Sequence, residues 1–330
     1  MSGLDFEDFS AGQVIVGAPM TVSRDDIVRF AREFDPQPFH LDEAAAEKTF
    51  AGRLIASGWH TAALGMRLLH AGPMGGRSSL GSPGVTDLRW LKPVLPGDAL
   101  RVSLRVEECR VSASKPDRGF CRCAVRLENG RAEAVMTQRF TLMLARRGAE
   151  PPPPPRPVAT GIPDVVAEPD DAEAIPFLRD AVIGATRDLG AYAFGADAIT
   201  GFARAYDPQV FHTDPEGAKH THFGGLCASG WHTAAAYMKR LLATRARDHA
   251  HTAAHGPAPE MGPSPGFREM RWLAPVYAGD TLRYATRLTD RRASASRPGW
   301  GLAFADNTAV NQHGAQVFSF SSSVFWQWAP

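Results

Sequence analysis

Two kinds of periodicity divide the chain. From residue 23 onward, apolar side chains recur at Ile27, Phe30, Ala31 and Phe34, the spacing of one helical face. Ser23 followed by Asp26 is a helix-start signature of the capping-box type. Pro36 biases its predecessor out of the helical region, so this helix is predicted to end around Asp35. Residues 54–70, LIASGWHTAALGMRLLH, carry small residues and then Leu64, Leu68 and Leu69, which predicts a buried helix starting near Gly58. Two glycines at 75–76 and the pair Pro83-Gly84 mark a loop. Beyond it the period becomes two. ALRVSLRVEECRVSA and FCRCAVRLENGRAEAVMTQRFTLML are predicted to be long antiparallel strands with Gly-Asp and Asn-Gly turns. One buried helix followed by such strands argues for an α+β domain, its sheet wrapped round a central helix.

The pattern then occurs again. Residues 35–66 and 207–238 are identical at 19 of 32 ungapped positions, and RWLKPVLPGDALR at 89–101 returns as RWLAPVYAGDTLR at 271–283. The predicted helix before the first block recurs as Ile199, Phe202, Ala203 and Tyr206, ending at Asp207-Pro208. The second copy holds ten extra residues between the blocks, and the Ala/His/Pro-rich stretch from Arg247 to Gly262 is the natural place for them. Between the copies lies GAEPPPPPRPVATGIPD. Five consecutive prolines continue neither a helix nor a central strand and favour an extended spacer. The expected organisation is therefore one domain over 1–147, a Pro-rich linker over 148–172 and a second copy over 173–330.

Composition narrows the function. With 36 basic and 35 acidic residues the net charge is +1, which gives no electrostatic footprint for nucleic acid or an anionic membrane. The segment MSGLDFEDFSAGQ lacks the basic and apolar parts of a signal peptide, and no apolar run reaches the roughly 20 residues that span a bilayer. Cys109, Cys121, Cys123 and Cys227 show neither disulfide-scaffold density nor CxxC spacing. Cys121 and Cys123 alternate with polar residues and read as ordinary strand positions. A cytoplasmic location is the expectation.

The stretch DPQPFHLD, with Gly58 eighteen residues after His40, resembles the hydratase motif of the MaoC-like family, the (R)-specific enoyl-CoA hydratases. The chain carries the motif twice, and RWLKPVLPGDAL and RWLAPVYAGDTL are similar to the family's strand and Pro-Val-x-x-Gly-Asp turn. The resemblance implies a double hot-dog fold. It also implies Asp35 with His40, and Asp207 with His212, as catalytic pairs. Gly58 and Gly230 would each lend a backbone N–H to a thioester carbonyl, with Ser57 and Ser229 in support. The family usually has Asn two residues after the Asp. Here Gln37 and Gln209 stand there, and Val210 replaces the proline that Pro38 keeps. The chemistry suits these residue types. Adding water across a C=C conjugated to a thioester needs a base, an acid and a donor for the enolate oxygen. In some fused relatives one half only binds CoA, but both halves here keep Asp and His, which favours two sites per chain.

Other conspicuous residues have plainer readings. Asp42 and Asp214 read as helix caps, His60 and His232 as core or interface histidines, and Trp59, Trp90, Trp231 and Trp272 as packing. His249, His251 and His255 are expected in a mobile loop of the insertion rather than at a metal. The segments 112–115 and 294–297, SASK and SASR, read as solvated turns rather than CoA-phosphate contacts. Three rival functions remain: a hot-dog thioesterase, a non-catalytic acyl-CoA-binding protein, and a dehydratase acting on acyl carrier protein. Hot-dog thioesterases often place an acidic residue at the central helix, and GWHTAALGMRLLHAG and GWHTAAAYMKRLLATRAR have none. The expectation is an enoyl-CoA hydratase with no metal and no redox cofactor, its two copies paired within the chain and further dimerisation open.

Overall fold

The computed structural model describes residues 5–74, 79–149 and 171–330. The expected linker falls almost wholly at 150–170, outside the described residues.

In the first copy, short strands β1 (Val14–Val16) and β2 (Met20–Thr21) precede helix α1 (Arg24–Phe34), then α2 (Pro38–Leu41), α3 (Glu43–Glu47) and the central helix α4 (Gly58–Leu69). Strands β3 (Gly84–Trp90), β4 (Ala99–Val111), β5 (Arg118–Glu128) and β6 (Ala134–Ala145) follow. The second copy repeats this with β7 (Thr186–Ala193), α5 (Ala196–Tyr206), α6 (Val210–Thr213), α7 (Pro215–Lys219) and the central helix α8 (Gly230–His255). It closes with β8 (Gly266–Trp272), β9 (Thr281–Ala293), β10 (Trp300–Asn311) and β11 (Gln316–Gln327).

Local chemistry sets the helix boundaries. The Ser23 hydroxyl accepts from the Asp26 N–H at 3.0 Å and starts α1, while Asp35 ends it. Asp42 and Asp214 cap α3 and α7 through the N–H groups of Ala45 and Glu216. Ser57 and Ser229 cap the central helices through the N–H groups of Trp59 and Trp231. The α1 face Ile27, Phe30, Ala31 and Phe34 is buried, as its spacing predicts.

The strands join into one antiparallel sheet in the order β1-β4-β5-β6-β3-β8-β11-β10-β9-β7, with β2 also on β4. The halves meet at the β3–β8 seam, where Gly84 lies opposite Arg271 and Gly266 opposite Arg89. A Cβ on Gly84 would strike the Met270 carbonyl and one on Gly266 the Leu88 carbonyl, so only glycine allows this approach. Inside the curl, α1, α4, α5 and α8 pack across the halves. His60 stacks on Phe30 at 4.8 Å and meets Tyr206 edge-on, and His232 stacks on Phe202 at 4.7 Å and meets Phe34. Both imidazoles are fully buried at this junction, and desolvation pushes each pKa down to about 3.

Two expectations are corrected. The insertion is not a mobile loop up to Gly262: α8 runs on through His249 and His251 to His255. The stretch is rich in alanine, the best helix former, and its first proline, Pro257, comes after the helix end. The extension is also docked, with Asp248 paired to Arg187 at 2.7 Å and the Thr252 hydroxyl accepting from the Ile175 N–H at 2.8 Å. Among the described residues, no group of three metal-ligating side chains forms. Second, Cys121 is not an ordinary strand residue. It lies directly opposite Cys109 across β4–β5, with Cα atoms 4.2 Å apart, and the two form a disulfide. Residues twelve apart carry no pairing signal; strand register brings them together. Among the described residues no helix is long and apolar enough to cross a membrane.

Candidate active site

The segment between α1 and α4 builds each polar cluster. Because α1 stops at Asp35 and α2 begins only at Pro38, the Asp35 carboxylate turns inward beneath the first turn of α4. Its Oδ2 accepts from the Ser57 hydroxyl at 2.5 Å and its Oδ1 from the Gln37 amide at 2.8 Å. Gln37 thus occupies the family's Asn position as a donor to the carboxylate. One turn later, His40 places Nε2 3.5 Å from Asp35 Oδ2, and its Nδ1 lies 2.8 Å from the Ile55 carbonyl. A carbonyl oxygen only accepts, so Nδ1 carries a hydrogen, and Nε2 is the acceptor nitrogen of the neutral tautomer. Asp35 and His40 are 2% and 4% exposed, so few waters compete for these groups.

The second copy reproduces the arrangement. Asp207 accepts from the Ser229 hydroxyl at 2.6 Å and from the Gln209 amide at 2.9 Å. His212 Nε2 is 3.5 Å from Asp207 Oδ2, and its Nδ1 donates to the Cys227 carbonyl at 2.7 Å. Burial lowers the His212 pKa, with Asp207 acting in the opposite sense, so the ring favours its neutral form. The replacement of proline by Val210 leaves this geometry intact.

When the ring is neutral, Nε2 and the carboxylate oxygen 3.5 Å away are both acceptors and do not bond to each other. They suit a water that donates one hydrogen to each, leaving its lone pairs to face away. Beside them stands the first N–H of the central helix, Gly58 or Gly230, which has no intrahelical acceptor and sits at the positive end of the helix dipole. Trp90 and Trp272, packing residues by their sequence, have a second task. Their indole N–H groups donate to the carbonyls of Gly58 at 2.8 Å and Gly230 at 3.0 Å, and the rings lie flush against the glycines. A Cβ on Gly58 would come within 2.6 Å of the Trp90 ring, so the residue must be glycine while Trp90 stays in place. The recurrence of Arg-Trp in both copies was the available signal. At 112–115 and 294–297 the chain turns, with Ser112 and Ser294 accepting from the N–H groups of Lys115 and Arg297.

Each pair opens into a cavity whose walls come from both halves. Asp35, Gln37, His40 and Gly58 face a cavity of about 530 Å³ whose far walls come from α8 and the inner face of β9–β11. Asp207, Gln209, His212 and Gly230 face a smaller one of about 250 Å³, bounded by α4 and by Gln138, Phe140 and Leu142 of β6. Neither cavity is complete within one copy.

A model of the MaoC-like domain matches residues 8–118 and again 180–298. YdeM of Bacillus subtilis is 37% identical over 97 residues, covering 29% of this chain and 69% of YdeM. The protein MaoC of Klebsiella aerogenes is 29% identical over 145 residues, 43% of this chain and 39% of that protein. In overall fold the chain is similar to a MaoC-domain protein from Chloroflexus aurantiacus J-10-fl, with a TM-score of 0.78 at 18% identity over 99% of this chain and 98% of that one. It is also similar to a Mycobacterium tuberculosis protein with a double hotdog fold, with a TM-score of 0.73 at 16% identity over 98% of each chain. Two matched regions, joined edge to edge into one sheet with a central helix in each half, make this chain a double hot-dog member of the MaoC-like domain family.

Proposed function

We propose that the chain is a hydro-lyase that reversibly adds water to a trans-2-enoyl thioester of CoA to give the 3-hydroxyacyl thioester, the (R) configuration being implied by the family. The observation that carries this reading is the twice-built unit of carboxylate, imidazole and helix-start N–H opening into a cavity. In the first site a water held by Asp35 and His40 attacks Cβ of the enoyl group. Asp35 takes the proton released from the water as the C–O bond forms. The electron pair of the C=C moves through Cα onto the thioester oxygen, where the Gly58 N–H receives it. Return of a proton from the Asp35–His40 pair to Cα restores both groups. A donor of this kind is typically worth about 2.7–4 kcal/mol in the transition state. Hydration changes no net oxidation state, so this chemistry calls for no redox group.

A thioesterase would need a base or nucleophile aimed at the carbonyl carbon. α4 carries no Asp or Glu, and Asp248 of α8 is committed to Arg187. The discriminating assay follows loss of enoyl-thioester absorbance with crotonyl-CoA and longer enoyl-CoAs for wild type, Asp35→Asn, Asp207→Asn and the double variant. Crotonyl-CoA hydration should survive either single change and vanish in the double variant. Hydration of the longest accepted chains should vanish with Asp35→Asn alone, because the first cavity is about twice the size of the second. Wild-type protein that binds these thioesters without turnover would overturn the reading.

A further inference from the structure

The duplicated sheets let each cavity wall be compared with its twin. In the first copy, Leu104 lies opposite Val125 on neighbouring strands, and Phe140 lies opposite Val85. At the same register points of the second copy stand Thr286 opposite Asn307, and Ser322 opposite Phe267. On the central helices, Gly65 of the first copy corresponds to Tyr237 of the second. An apolar interior in one half has thus become a polar cluster in the other, in the wall that the second copy lends to the larger cavity.

The cluster is ordered. The hydroxyls of Tyr237 and Thr286 both donate to Asn307 Oδ1, at 2.5 and 2.8 Å, and Asn307 Nδ2 donates to the Ser322 hydroxyl at 2.9 Å. Ser322 therefore accepts from Asn307 and keeps its own hydrogen to give. Two turns along α8 from Tyr237, Arg245 also lines the cavity. Among the described residues it makes no ion pair and no hydrogen bond. Enclosure disfavours its charged form, yet an arginine stays protonated in proteins. Arg245 is half-buried, and among the described residues no side chain pairs with its guanidinium, which leaves it to take an anionic group of a ligand in the cavity.

We infer that the larger cavity takes an acyl thioester whose chain ends in a carboxylate, held by the Arg245 guanidinium and the Ser322 hydroxyl. The substrate class is then the half-thioester of an unsaturated dicarboxylic acid. The inference rests on the acyl-thioester reading of the site and specifies its substrate. The smaller cavity, where Phe140, Leu142, Met66 and Leu69 form the corresponding wall, takes uncharged chains.

The test uses saturated, unreactive ligands, so it does not depend on turnover. Binding of succinyl-, adipoyl- and suberoyl-CoA is compared by calorimetry with butanoyl-, hexanoyl- and octanoyl-CoA, on the full chain and on R245M and R245K. At one or more lengths wild type should bind the carboxylated ligand at least tenfold tighter, at one site per chain. R245M should bring the ratio below twofold, and R245K should retain part of it. Absence of a preference at every length, or its persistence in R245M, overturns the inference. So does an equal weakening of both ligands and of free CoA in R245M, which would assign the guanidinium to the CoA phosphates. A carboxylate preference without any hydration would sink the proposed reaction and leave this assignment standing.

Discussion

The contact between Gly58 and Trp90 yields an expectation whose sign opposes helix propensity. Replacing glycine by alanine within a helix ordinarily stabilises by roughly 0.5–1 kcal/mol. At position 58 the new Cβ would lie 2.6 Å from Trp90 Cε2 and 2.9 Å from its Cδ2 and Nε1. The ring is boxed in by Trp59, at 5.6 Å between centroids, and by Phe267, at 5.8 Å. Relief would require the indole to leave the Gly58 carbonyl. Overpacking costs about 1–3 kcal/mol and the lost hydrogen bond about 0.5–1.5 kcal/mol. After the propensity gain, Gly58→Ala should destabilise by about 0.5–4 kcal/mol. Gly201→Ala is the control: it lies on the exposed face of α5 with nothing within 4 Å of a new Cβ, and should stabilise by roughly 0.5–1 kcal/mol. Urea unfolding followed by tryptophan fluorescence measures both. If Gly58→Ala unfolds at or above the wild-type midpoint while Gly201→Ala behaves as expected, the seating of Trp90 on the glycine is refuted.

Two further outcomes follow from the same geometry. Ser57→Ala removes both the cap of α4 and the hydroxyl given to Asp35, so it should cost about 1–3 kcal/mol in denaturant unfolding and lower enoyl-CoA hydration at least tenfold; wild-type values for both would dismiss the role. Stability should fall as pH drops below about 6.5, because unfolded imidazoles then take up protons while His60 and His232 stay neutral in the fold down to about 3. Desolvation is the main cause for both. Asp26 opposes it for His60, while Arg29 and His40 reinforce it; His212 and Lys239 reinforce it for His232. Each group contributes up to about 1.4 kcal/mol per pH unit within that window, and its stabilisation is fully present above it. Thermal melts of His60→Leu between pH 7 and 4 should therefore decline less steeply than wild type, and an unchanged slope would count against burial of the neutral ring.

What the sequence alone determined was whatever is written in short-range pattern or in repetition. Periods of three to four and of two placed the central helix at Gly58 and the long strands. Ser23, Asp42 and Asp214 carried their own capping chemistry, and duplication marked Asp35, His40, Asp207 and His212 as parts of one recurring unit. Composition misled where a local preference was overruled. The Ala/His stretch after Arg247 resembles a loop, but alanine-rich chain docked by Asp248 onto Arg187 gains more as helix. Only the tertiary structure decided the rest, because it depends on which strands lie side by side. Register joins Cys109 to Cys121 and seats Trp90 on a glycine 32 residues away. Pairing of β3 with β8 turns each Asp/His pair toward the interior of the other half. For that reason the cavity served by the first motif takes its far walls from residues such as Tyr237, Thr286 and Arg245, which no motif marks and no linear spacing connects to Asp35.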